Sequence, residues 1–124
     1  MNEVQTAEEY KRLLAEFLEN GFVFEYTYQK GGDTSCVYIF RFKKGRDFFD
    51  LREVSGGNEL NFVVYANGAY AFPSLKSAYP TEHKKFFLKH LLKRASATER
   101  RAFIADILNK ELAKNNPDFF GIKR

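Results

Sequence analysis

The spacing of hydrophobic residues changes twice along the chain. Between residues 6 and 20, Tyr10, Leu13, Leu14, Phe17 and Leu18 recur at three- and four-residue intervals, the signature of one helical face. Thr6 and Glu9 stand at capping-box spacing before them, and Asn20-Gly21 supplies a stop. The pattern predicts a helix over 7–19.

From residue 22 the period falls to two. Alternating segments at 22–29, 34–43, 47–54, 59–65 and 69–72 are separated by the turn-forming stretches KGGD, Gly45-Arg46, Gly56-Gly57 and Asn67-Gly68. This reads as a five-stranded antiparallel meander. The turns predict its register: Phe42 opposite Phe49, Phe40 opposite Leu51, Leu51 opposite Phe62, Phe49 opposite Val64 and Val64 opposite Ala71. Phe24, Tyr26 and Tyr28 then lie beside Tyr38, Phe40 and Phe42. One face of the sheet becomes almost wholly apolar, which makes it the core face.

After residue 80 the period returns to that of a helix. Thr81 is the expected N-cap of a helix over 82–94, with Phe87, Leu88, Leu91, Leu92 and Ala95 as its inward stripe. Ser96 and Glu99 open a second helix to about residue 114, with Phe103, Ile104, Ile107, Leu108 and Leu112 inward, and Asn115-Asn116-Pro117 ends it. The aromatic stretch DFFGIKR, residues 118–124, looks too short for an element of its own, and residues 115–124 read as a flexible or docking tail. The expected fold class is α+β: an N-terminal helix, the meander and two C-terminal helices, packed mainly on one face of the sheet in a single domain over 1–124.

Composition and charge narrow the partners. Apolar content of 44% with 29% charged residues is that of a globular chain. The first residues do not read as a signal peptide and no apolar run is long enough to span a bilayer. With a single cysteine, these features suggest a cytoplasmic protein without membrane association. Residues 1–80 carry 9 Lys and Arg against 11 Asp and Glu, whereas residues 81–124 carry 11 against 5. Attraction for anions should therefore come from the C-terminal third.

Two constellations carry the functional expectation. On the second face of the sheet, register aligns Lys43, Phe48, Tyr65 and Tyr70 in one row and Arg41, Asp50, Val63 and Phe72 in the next. A helix, the tail with Phe119 and Phe120, or a second subunit are the alternatives for covering it. On the helix over 82–94, Lys85, Lys89 and Lys93 share a face with Phe86, with His90 and Arg94 alongside and Arg100 and Arg101 beyond. Cations around an aromatic ring suit phosphates and a stacked base. A non-enzymatic nucleic-acid-binding module is the first expectation, and a protein-interaction or homodimerising domain using the second aromatic face is the alternative.

Chemistry offers little else. His83 and His90 are seven residues apart, about 10 Å along a helix, too far to share a metal. Cys36 shares parity with core residues and lacks identifiable catalytic partners. Asp47, Asp50 and Glu53 read as sheet-surface charges, with Asp50 paired to Arg41. No metal, cofactor or catalytic residue is expected.

Overall fold

The computed structural model describes residues 2–30, 36–54 and 59–124. The chain runs α1 (Glu3–Leu13), α2 (Ala15–Glu19), β1 (Val23–Lys30), β2 (Cys36–Lys44), β3 (Asp47–Val54), β4 (Glu59–Ala66), β5 (Ala69–Ala71), α3 (Leu75–Ala78), α4 (Pro80–Lys89), α5 (Ala97–Ala113), β6 (Asp118–Phe119) and β7 (Ile122–Lys123). The fold is α+β, with β1 to β5 forming an antiparallel meander in chain order. Its register is the expected one: Phe42 opposes Phe49, Leu51 opposes Phe62, and Val64 opposes Ala71. Phe24, Tyr26 and Tyr28 pair with Phe42, Phe40 and Tyr38. Asn67 and Gly68 both take positive φ, 55° and 79°, as a type I′ hairpin turn requires. The expected turns at KGGD and Gly56-Gly57, and the orientation of the Cys36 thiol, lie outside the described residues.

Helices and the C-terminal segment pack on the first face. Tyr10 of α1 packs on Phe40, with ring centroids 5.0 Å apart, and Phe17 of α2 meets Phe49 edge-on at 5.0 Å. Ile107, Leu108 and Leu112 of α5 join the same core cluster. The helix expected over 7–19 starts a turn earlier and breaks at Leu14. Asn2 and Gln5 form the working capping box, and the Thr6 hydroxyl donates back to the Asn2 carbonyl at 3.0 Å instead of capping. Glu9 is thereby released from a capping role and is buried, 3.9 Å from Arg101.

The tail differs from expectation too. Residues 118–123 form a hairpin whose Phe119 and Ile122 are fully buried, with the Phe119 ring against those of Phe17, Phe22 and Phe49. The turn works because Phe120 and Gly121 both adopt positive φ. The hairpin therefore completes the core face and leaves the second face alone.

The packing of α4 departs from expectation as well. Its N-cap is Tyr79, with Pro80 in the first turn, rather than Thr81. The helix expected to reach residue 94 stops at Lys89, and most of the expected inward stripe faces solvent: Phe87 is 66% exposed, Leu88 52%, Leu91 58% and Leu92 103%, and Ala95 alone of the five is buried. With α1, α2, α5 and the tail hairpin on the core face, α4 is attached mainly by another arc. There Phe86 stacks on Phe103 at 4.2 Å and His83 meets the same ring edge-on at 4.8 Å. The Tyr79 hydroxyl secures the start of the helix by donating to Glu111 at 2.7 Å.

The Tyr79–Glu111 bond gives a pH-dependent prediction. Burial pushes the Glu111 carboxyl up, but the Tyr79 hydroxyl and the Lys114 ammonium outweigh it and hold it below its ordinary value. A carboxyl depressed by folding stabilises the protein at neutral pH and loses that contribution as pH falls through its folded value. Tyr79→Phe should therefore cost about 1 kcal/mol at neutral pH. In urea titrations the deficit should shrink once Glu111 is protonated; a deficit independent of pH would contradict this account.

Candidate functional site

The second face of the sheet is covered largely by its own side chains. Asp50 is fully buried there and accepts from Arg41 Nε at 2.7 Å and from Arg52 Nη2 at 2.9 Å. The Asp50 hydrogen bond makes Arg41 hold its proton more tightly than usual. Its guanidinium lies 3.7 Å from the Phe48 ring centroid, which leaves Phe48 only 8% exposed. Tyr65 stacks on Phe48 at 5.1 Å and Tyr70 meets Tyr65 edge-on at 5.0 Å. The expected row is thus assembled: Lys43 opposes Phe48, Phe48 opposes Tyr65, and Tyr65 opposes Tyr70. Lys43 lies 3.9 Å from Glu25. Tyr70 and Phe72 are the well-exposed rings of the set, and Phe72 falls just past the end of β5.

The basic helix is rearranged more thoroughly. Phe86 packs on Phe103 and is no longer an open ring among cations. Lys85, Lys89, Lys93 and Arg94 remain exposed. Arg100 is half-buried and donates to the Ala95 carbonyl. Arg101, expected on the solvated patch, is buried and forms a two-pronged ion pair with Glu53 at 2.7 and 2.8 Å. Glu53 also accepts from the Tyr10 hydroxyl. Its assignment to the sheet surface is therefore corrected. The alternation of β3 contained the signal, because Glu53 shares parity with Phe49 and Leu51 on the core face.

Two surface grooves connect these regions, and the sequence reading identified neither. The smaller, about 560 Å³, lies beside β4 and includes Arg52, Phe72, Lys76 and His83. The larger, about 1100 Å³, runs along α4 and into α5, and includes Lys76, His83, Lys84, Phe87, Arg94 and Arg100. Lys76 and His83 line both. The fully charged residues among the described lining of the two grooves are Arg52, Lys76, Lys84, Arg94 and Arg100, all cations. Exposed Phe72 and Phe87 stand one in each groove. Sequence periodicity could not join them, because residues 72–74 cross from the sheet edge to α3 by an irregular path.

No known family, curated protein or solved structure matches this chain. The residues themselves carry the functional argument. Among those described, no helix is long and apolar enough to cross a membrane. Nor do three or more His, Cys, Asp or Glu among them gather as metal ligands.

Proposed function

We propose that the protein is a non-enzymatic, cytoplasmic binding module for single-stranded nucleic acid, held along the joined grooves. The observation that carries this reading is the meeting of the two grooves at Lys76 and His83, with cations as their charged lining and one exposed aromatic in each. A cationic track supplies sequence-independent attraction for phosphates, and aromatic rings stack bases of any identity. Bases paired in a duplex cannot reach Phe72 or Phe87, so single strands are preferred. The sheet row plays a supporting part: Asp50 offsets one of the two guanidiniums, and Arg41 occupies Phe48.

Fluorescence titration with an oligothymidylate across a salt series tests the proposal. About five phosphate contacts give a slope of log K against log salt near −3.5, and each of Lys76→Ala and Lys84→Ala should reduce its size by about 0.7. Phe72→Ala and Phe87→Ala should each cost about 1–3 kcal/mol of binding. Absence of binding at low salt, or binding indifferent to these substitutions, would sink the reading.

A further inference from the structure

The end of α4 carries an anomaly that the grooves do not absorb. Phe87 and Leu88 lie in its last turn, Leu91 and Leu92 follow directly, and all four are more than half exposed. Contiguous exposed apolar side chains of this kind are uncommon on a finished surface and mark docking sites. We propose that this cluster docks an acidic amphipathic helix of another protein, with its apolar face on Leu88, Leu91 and Leu92.

Charge complementarity selects that occupant. Lys84, Lys85, Lys89, Lys93 and Arg94 surround the cluster and are exposed. A second copy of the chain would bring two lysine-rich rims together, which like-charge repulsion disfavours. Four apolar side chains make a small area for a bilayer-bound helix, whose binding grows with buried apolar surface. An amphipathic helix with carboxylates flanking its leucines satisfies both apolar cluster and cationic rim. Docking of such a helix does not depend on nucleic-acid binding. Because Phe87 and Leu91 also line the larger groove, however, an acidic helix bound here would compete with a strand lying there.

The test titrates the intact chain, without nucleic acid, with a synthetic helix of about four turns, leucine on one face and glutamate on its flanks. Saturable binding is expected, weakened at least about tenfold by Leu88→Glu or Leu92→Glu and by replacing the peptide's glutamates with lysines. Leu92 is fully exposed, so Leu92→Glu should leave the far-ultraviolet circular dichroism spectrum unchanged. Equal binding of the lysine peptide, or none of the acidic one, overturns the proposal. Self-association of the chain, or binding to phosphatidylserine vesicles, that Leu92→Glu abolishes would overturn it in favour of a second copy or a bilayer. Adding an oligothymidylate afterwards reads competition separately, so failure of the nucleic-acid reading leaves the peptide result standing.

Discussion

Arg101→Ala should destabilise the protein by about 3–5 kcal/mol, a large share of the 5–15 kcal/mol that typically holds a domain folded. Arg101 and Glu53 are each 4% exposed, and the guanidinium grips both oxygens of the Glu53 carboxylate at 2.7 and 2.8 Å. Removing the cation leaves Glu53 charged beneath α1 and α5, with buried Glu9 beside it. The Tyr10 hydroxyl still donates to Glu53, but one neutral hydrogen bond cannot replace an ion pair away from water. Replacing the group together, with Tyr10→Phe, Glu53→Leu, Arg101→Met and Glu9→Gln, should recover most of the loss, since well-packed apolar residues often substitute for a buried pair without cost. Urea denaturation measures both variants. A loss below about 1 kcal/mol for Arg101→Ala would mean that solvent reaches the pair. The network also predicts alkaline sensitivity. Burial, reinforced by Glu53, pushes the Tyr10 phenol well above its ordinary value, so folding favours the protonated form. That contribution is complete below about pH 10, the value in the unfolded chain, and declines as pH rises towards the folded value. Tyr10→Phe should lack this part of the decline.

Phe119→Ala should cost a further 3–5 kcal/mol or so, as deletion of a fully buried ring does when its surroundings cannot collapse. Phe119 is 1% exposed and meets Phe17 at 5.0 Å, Phe49 at 5.2 Å and Phe22 at 6.5 Å. Its neighbours belong to α2, to β3 and to the segment between α2 and β1, so the cavity would open at the junction of three parts of the fold. Phe120, half-buried against Phe62, provides the comparison, and Phe120→Ala should cost less than half as much. Thermal unfolding of the two variants decides the matter. Similar, small losses would show that the hairpin lies loosely on the core instead of completing it.

The register of the meander was legible before the structure because it rests on local chemistry. Gly45 and the Asn67-Gly68 pair adopt the positive φ that their turns demand, and a period of two then assigns every neighbouring side chain to a face. The same logic, carried through β3, would have put Glu53 on the core face beside Leu51. Judging Glu53 by residue type alone assigns it to the surface. The helix over Ala97–Ala113 was equally legible, since the Ser96–Glu99 capping box fixed its start and its inward residues are those expected.

The candidate site was legible only in parts. Lys43, Phe48, Tyr65 and Tyr70 form the expected row, and Lys85, Lys89, Lys93 and Arg94 keep their exposure. Arg101 and Phe86 do not: a guanidinium on a helix looks the same in sequence whether it meets water or a buried carboxylate. The arc of α4 chosen for packing was also hidden. Phe86 and the Phe87–Leu88 pair lie on adjacent arcs, and either could have faced inward.

By itself, then, the sequence determined the elements, the meander and which sheet face is apolar, because turns, caps and periodicity act over a few residues. Tertiary structure alone decided what fills that face. Phe119 and Ile122 fill part of it, while α4 packs through Phe86 and His83 on Phe103 rather than through Leu88, and Leu91 and Leu92 follow it into solvent. A cationic groove runs beside those leucines.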